Sequence, residues 1–177
     1  MKPALIKSIL ILTFVYSHAL SFGQALEVED YAIRFMIKNA GLEVEGEFEK
    51  ADFILRFYPD NIEKSYLEGK IDVASLNSGI ALRDSHLMGE EYFHQKKFRT
   101  IHMKSLSLSR VSTSNNHYSG VFLLVIKEKS KEITLPFTFQ NKQLKAQFEL
   151  DRRDFGVGGS SFIMSDNVKV EILVNVR

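Results

Sequence analysis

The chain has 177 residues and nearly balanced charge, with 23 lysine and arginine residues against 22 aspartate and glutamate residues. This length suits a single domain, and the lack of a basic excess argues against nucleic-acid binding. The sequence contains no cysteine, which excludes disulfide bonds, thiolate metal sites and thiol nucleophiles. Its fold must therefore be held together by an ordinary hydrophobic core.

The N-terminal segment has the layout of a secretory signal peptide. A positively charged start precedes an apolar run over residues 8–15, and small residues follow it. The run is shorter than the roughly 20 residues that a membrane-spanning helix needs. We therefore predict a signal peptide over residues 1–23, cleaved after Gly23 or after Ala25, and one mature domain over residues 24–177.

Most of the remaining chain shows the period of β-strands, because apolar side chains recur at every second position. Residues 31–37, 42–48 and 133–139 show this alternation most clearly. Short turn-forming segments, such as residues 39–41 and 141–142, separate the runs, so neighbouring strands are expected to pair antiparallel. The pattern predicts an all-β protein of eight or nine strands, which closure into a barrel would leave without exposed edges.

Two segments depart from the simple strand period. Between residues 78 and 93 the apolar spacing becomes helical, and Asn77 or Ser78 is a suitable N-terminal cap. One short helix is therefore predicted there. Over residues 99–111 the apolar side chains change parity midway, and a β-bulge near Ser105 would reconcile the two halves.

Histidines are the first candidates for metal binding, and their spacing argues against it. His86 and His94 fall on nearly opposite sides of a continuous helix, and His102 has the polar parity of its strand. The sequence also lacks a phosphate-binding loop, a nucleophile elbow and paired histidines at helical spacing. We predict that the protein is not an enzyme and binds neither a metal nor another cofactor.

Two charged clusters invite a functional interpretation, but each has a simpler one. Arg83 and Asp84 are interpreted as an ion pair on the helix surface. Residues 151–154 read Asp-Arg-Arg-Asp, and we interpret them as a solvated turn with local ion pairs of little net stability.

Three stretches, taken together, resemble the YceI-like family of secreted, lipocalin-like bacterial proteins. The first is IDVASLNSG at residues 71–79, which runs into LRDSHL at 82–87 and EYF at 91–93. The second is ITLPF at residues 133–137, and the third is RRDFGV at 152–157. Their order and spacing are similar to those of the family across essentially the whole mature chain.

The resemblance implies an antiparallel, eight-stranded, lipocalin-like barrel with one short helix, whose apolar interior holds an isoprenoid or other long-chain lipid. It also implies a periplasmic or secreted protein, without a transmembrane span after processing, that transports, stores or sequesters this lipid. Thr138 is expected to face outward. The inward-facing side chains predicted to line the barrel and bind the lipid are Phe35, Phe48, Phe53, Phe57, Phe122, Leu124, Phe137, Phe139 and Phe148.

The strand over residues 118–126 leaves an alternative open, because it is apolar on both faces. Val121, Leu123 and Val125 form the second face, and the outside of a soluble barrel is not expected to be this apolar unless it is covered. The helix could cover it, or a second subunit in a homodimer. The alternative function is a ligand-free structural or protein-interaction module of the cell envelope.

Overall fold

The computed structural model describes residues 25–111 and 116–177, so the predicted signal peptide over residues 1–23 lies outside the described residues. Within these ranges the chain forms ten strands, paired antiparallel in one sheet, and one α-helix, α1 (Ala81–Leu87). No helix in these ranges is long and apolar enough to cross a membrane. The strands are β1 (Val28–Asn39), β2 (Leu42–Phe48), β3 (Ala51–Arg56), β4 (Tyr66–Asp72), β5 (Leu76–Asn77), β6 (Thr100–Arg110), β7 (His117–Ile126), β8 (Lys129–Gln140), β9 (Gln143–Asp151) and β10 (Met164–Val176).

The ten strands correspond to an eight-stranded barrel, because two of the eight strands are each divided into two by a short interruption. Only Glu49 and Lys50 separate β2 from β3, and only the 3-10 turn Val73–Ser75 separates β4 from β5. Since β2 pairs with β1 and β5 while β3 pairs with β4, the two interrupted strands lie side by side and close the sheet. Hydrogen bonding continues across the interruption, where the Asp72 N–H donates to the Lys50 carbonyl at 2.9 Å. The prediction of an all-β antiparallel barrel with one short helix is confirmed.

Alternation along the strands separates an interior from an exterior face. In β8, Leu135 and Phe137 are buried, whereas Thr134 and Pro136 are exposed. Thr138 has the outward parity and lies opposite Lys145 of β9. This agrees with the expectation from the sequence, because successive side chains of a strand point to opposite faces.

The outward face of β7 is the apolar one that the sequence singles out. Val121, Leu123 and Val125 are half-buried and alternate with the buried side chains of Phe122 and Leu124. Their neighbours on β6 and β8 include polar and charged residues, which limits the size of the exposed apolar area. A second subunit on this face remains a prediction.

The bulge predicted near Ser105 is confirmed. The register between β6 and β7 shifts between Ser105 and Ser107, which puts Ile101 and Leu108 on the same buried side although their parities differ. Ser105 is itself buried, and its hydroxyl accepts a hydrogen bond from the Leu67 N–H at 3.0 Å. The bulged residue therefore still satisfies a backbone donor of the neighbouring strand.

The helix is shorter than predicted, and its predicted caps are wrong. It spans seven residues and has Ile80 at its N-cap position, without a side-chain capping bond. Ser78 lies in the preceding turn, where its backbone N–H donates to the Asp84 carboxylate at 2.9 Å. The residues after Leu87 form a series of turns and not a continuation of the helix. The Gly89 N–H donates to the carbonyl of His86, three residues back, which ends the helical hydrogen bonding.

Candidate functional site

A cavity of about 480 Å³ occupies the interior of the barrel. Nine of the ten strands and α1 contribute to its wall, and most of the lining side chains are aliphatic or aromatic. This volume lies within the range of about 300–1,000 Å³ found for small-molecule sites. A wall of this kind favours a hydrocarbon over a charged molecule, because it offers a buried ion few partners.

The structure brings most of the predicted lipid-binding side chains together on this wall. Two of the nine lie elsewhere: Phe57 and Phe139 are absent from the lining and belong to a ring cluster near one end of the barrel. The seven that line the cavity are Phe35, Phe48, Phe53, Phe122, Leu124, Phe137 and Phe148.

The ring cluster closes this end of the barrel. The ring centroid of Phe57 lies 4.6 Å from that of Phe139 and 5.0 Å from that of Tyr118. Tyr118 also stacks on Phe137, at 5.3 Å. Phe137 therefore belongs to both the cluster and the cavity wall. The packed rings of Phe57, Tyr118 and Phe139 form the floor of the cavity.

The opening of the cavity lies at the other end of the barrel, beside α1. Asn39, Ile80, Leu82 and His86 line the cavity and are also exposed to solvent. A side chain at the end of a strand or on α1 can line the cavity and also contact solvent only if it lies at an opening. The site is thus an apolar pocket with one closed end and one open end.

The apolar spacing predicts a helix in this region, but it does not predict that the helix and the turns after it form part of the cavity wall. The signal was present, because these residues include a regularly spaced apolar set. Phe93, for example, packs edge-on against the predicted lining residue Phe48, with ring centroids 5.8 Å apart. The lining residues from this region are Ile80, Leu82, Arg83, His86, Leu87, Tyr92 and Phe93.

Arg83 and Asp84 bind Ser78 and not each other, so the interpretation as a surface ion pair is wrong. The Arg83 Nε donates to the Ser78 hydroxyl at 2.8 Å, and the guanidinium also binds the Ser78 carbonyl. Asp84 accepts hydrogen bonds from the backbone N–H and the hydroxyl of the same serine. The two side chains together anchor α1 to the turn that precedes it.

The interpretation of residues 151–154 as a solvated turn is wrong. Arg152 is only 3% exposed, and it also lines the cavity. Its guanidinium donates to the carbonyls of Val157 and Gly159, each at 2.9 Å, and to the Asp166 carboxylate at 2.8 Å. Gly158 has a φ of +70°, and a Cβ there would lie 2.8 Å from Arg152 Nη1. The arginine thus holds the connection between β9 and β10 against the barrel.

The described residues contain no group of three or more side chains suited to hold a metal ion. Instead, His102 belongs to a polar network on the outer wall, where its Nε2 lies 2.8 Å from Glu68 Oε1. The Tyr66 hydroxyl donates to the same carboxylate. This bond, together with that of His102, lowers the pKa of Glu68 below its usual value, and the bond to Glu68 raises the pKa of Tyr66.

The lowered pKa of Glu68 predicts a specific loss of stability in acid. The contribution of Glu68 is complete above the usual glutamate pKa of about 4.3 and is lost as the pH falls through the lowered value of the folded state. Glu68→Gln is therefore expected to flatten the fall of the melting temperature between about pH 5 and 3. Glu63→Gln, at an exposed position, is the control. Identical acid profiles for the Glu68 variant and the parent would contradict the prediction.

A closed antiparallel barrel with a filled floor, one open end and one apolar cavity defines the class of small barrels that enclose a single internal site. Within this class the chain belongs to the YceI-like domain family, whose profile matches residues 25–176. The resemblance found from the sequence is therefore confirmed.

Relatives and solved structures agree with this assignment. The UPF0312 protein VCM66_A0498 of Vibrio cholerae serotype O1 (strain M66-2) is 25% identical over an alignment of 146 positions, and the match covers 75% of this chain and 76% of that protein. BcnA of Burkholderia cenocepacia has a similar structure, with a TM-score of 0.74 and 22% identity over 81% of this chain and 94% of that one. A polyisoprenoid-binding domain from Saccharophagus degradans, implicated in plant cell wall breakdown, has a TM-score of 0.65 and 12% identity over 86% of this chain and 97% of that one.

Proposed function

We propose that this protein is an exported lipid-binding protein, which holds an isoprenoid or other long-chain amphiphile for transport, storage or sequestration. The observation that carries the proposal is the apolar cavity with a floor of packed rings and one opening. A long hydrocarbon chain fits this shape, because its apolar end can reach the floor while its polar end stays at the opening. The polyisoprenoid-binding domain of similar structure supports the same ligand class.

The physical basis of binding is burial of the hydrocarbon chain. Each methylene transferred from water into the cavity contributes about 0.8 kcal/mol. Part of this gain offsets the loss of freedom of the bound chain. At the opening, Asn39, Arg83 and His86 supply the polar groups among the lining residues, so a polar head group would lie beside them.

We further propose that the protein is not an enzyme and acts in the periplasm or as a secreted protein. Two of the charged side chains that line the cavity support the first point, because Arg83 and Arg152 donate hydrogen bonds to backbone carbonyls of the protein itself. The layout of residues 1–23 supports export. A binding protein of this kind needs only the cavity and access to it.

Native mass spectrometry of the protein isolated from its own host tests both parts of the proposal. We expect a polypeptide mass that starts at Gln24 or Leu26, together with additional mass from one bound lipid. An intact Met1 on the isolated protein would overturn export. Protein that carries no lipid, and takes up none when offered polyprenol or fatty acid, would overturn lipid binding.

A substitution that fills the cavity provides the matched test. Val170 lines the cavity, whereas the preceding residue, Lys169, points to the other face of β10 and is exposed. Val170→Trp is expected to reduce bound lipid by at least about tenfold, because the indole takes the space of several methylenes. Lys169→Trp adds the same ring outside and is expected to leave bound lipid unchanged. Equal lipid content in the two folded variants would contradict binding in the cavity.

The alternative, a ligand-free structural or protein-interaction module, is favoured by the outward apolar side chains Val121, Leu123 and Val125. Such a module would use this face to contact a partner, including a second copy of the chain. Size-exclusion chromatography before and after lipid extraction separates the two functions. A dimer whose mass does not depend on lipid, in a protein that never carries lipid, would support the alternative.

A further inference from the structure

Exposed apolar side chains cluster beside the opening of the cavity. Leu82 is 69% exposed, Ile80 is 53% exposed and Leu42 is 72% exposed, although all three are large and apolar. Phe162 is fully exposed, and its neighbour Ile163 is 66% exposed. A single exposed apolar side chain is ordinary on a protein surface, but a group of this kind needs an explanation.

These side chains come from three segments that meet at the opening. The turn from β1 to β2 is tied to the connection before β10, because the Ala40 N–H donates to the Ile163 carbonyl at 2.7 Å. Asn39 pairs with both Leu42 and Met164. The third segment is the start of α1, whose residues line the same cavity as Asn39 and Met164.

The three segments also lack charge. Residues 39–42, 79–82 and 158–164 contain no aspartate, glutamate, lysine or arginine, although a quarter of the whole chain is charged. Charged side chains lie elsewhere at this end, in the β7–β8 turn at Lys127 and Glu128, and at the closed end, in the 3-10 segment Pro59–Lys64. We call these three segments the charge-free rim.

We infer that the charge-free rim docks onto the surface of a lipid bilayer, an inference that rests on the proposed lipid-binding function. A side chain that enters a bilayer costs little only if it carries no charge, and the rim meets this condition at every position. Its apolar side chains project from three separate turns, and a fluid bilayer can accommodate them without the fixed, complementary surface that a protein partner must supply.

The position of the rim allows a docked protein to exchange lipid with the bilayer. Because the rim lies beside the opening, a docked protein has its cavity opening at the bilayer surface. A lipid chain then passes between bilayer and cavity without exposing its methylenes to water, which would cost about 0.8 kcal/mol for each of them. Since the rim has no net charge, docking is not expected to require anionic lipids or to weaken with salt.

The chain has no tryptophan, so a single introduced indole reports on the rim alone. Phe162→Trp is expected to shift its emission to shorter wavelength when phosphatidylcholine vesicles are added, at both low and high salt. Gln140→Trp places the reporter at an exposed position of the closed end and is expected to show no shift. The absence of a shift in the Phe162 variant would overturn the inference.

Flotation with the same vesicles tests whether vesicle binding is lost when charge is introduced into the rim. The double variant Leu82→Glu, Phe162→Glu is expected to bind vesicles at least about tenfold more weakly than the parent. Leu106→Glu is the control, because Leu106 is also a large exposed apolar residue, 48% exposed, but lies on β6 in the wall of the barrel. This variant is expected to bind vesicles like the parent. Equal losses in both variants would overturn the inference.

Lipid retained in the cavity and the mass in solution are measured on the same variants. If the parent retains lipid but does not bind vesicles, the docking surface is overturned and the proposed function stands, whereas a double variant that retains its lipid and loses vesicle binding supports the docking surface. Vesicle binding by a protein that never carries lipid would overturn the proposed function instead. A dimer that dissociates in the double variant, with no vesicle binding by the parent, would show that a second copy covers the rim and would overturn bilayer docking.

Discussion

Phe137→Glu is expected to lower the free energy of unfolding by at least about 3–5 kcal/mol, the range for loss of a buried phenylalanine. Phe137 is only 3% exposed, stacks on Tyr118 and lies with its ring centroid 6.1 Å from that of Phe57. The glutamate would leave a gap among these rings and would place a carboxylate there without a partner, which also raises its pKa. Urea denaturation and thermal melting measure the loss.

Thr138→Glu is the control for Phe137→Glu. Thr138 lies one residue further along β8, on the outward face, and pairs with Lys145. An added carboxylate beside this lysine is expected to change the free energy of unfolding by less than about 1 kcal/mol. A Phe137→Glu variant that melts normally and keeps its lipid would contradict the assigned face. A variant that stays folded but loses its lipid would show that the residue mainly serves the cavity.

Arg152→Ala is expected to cost about 3 kcal/mol of stability and to release the connection between β9 and β10. The side chain is buried, and its loss leaves the carbonyls of Val157, Gly159 and Ser165 without their charged donor. Arg152→Lys is expected to recover only part of the loss, because an ammonium group cannot reproduce the planar fork of a guanidinium. Denaturation gives the stability, and hydrogen exchange at residues 157–165 reports on the connection.

The neighbouring arginine is the matched control for this variant. Arg153 also binds the Asp166 carboxylate, at 3.2 Å, but its side chain is mostly exposed. Arg153→Ala is therefore expected to cost less than about 1 kcal/mol, as is usual for a surface ion pair. Similar losses in the Arg152 and Arg153 variants would contradict the role given to the buried guanidinium.

Features that depend on neighbouring positions along the chain were predictable from the sequence. The two-residue period revealed the strands, and the change of parity in residues 99–111 revealed the bulge at Ser105. The caps of the helix were not predictable in the same way. Ser78 is a good capping residue by type, but Asp84 binds its backbone and hydroxyl and holds it in the preceding turn. Competition between two polar partners cannot be decided from residue types alone.

The sequence by itself determined which side chains face the interior, because parity along a strand is a local property. Only the tertiary structure decided which of them form the floor and which the cavity wall. Phe57 and Phe139 have the same inward parity as Phe35 and Phe148, yet the first two pack together and the others line open space. The same holds for Arg152, whose burial depends on a connection that folds back over it. Depth along the barrel depends on contacts between residues distant in sequence, which no local pattern encodes.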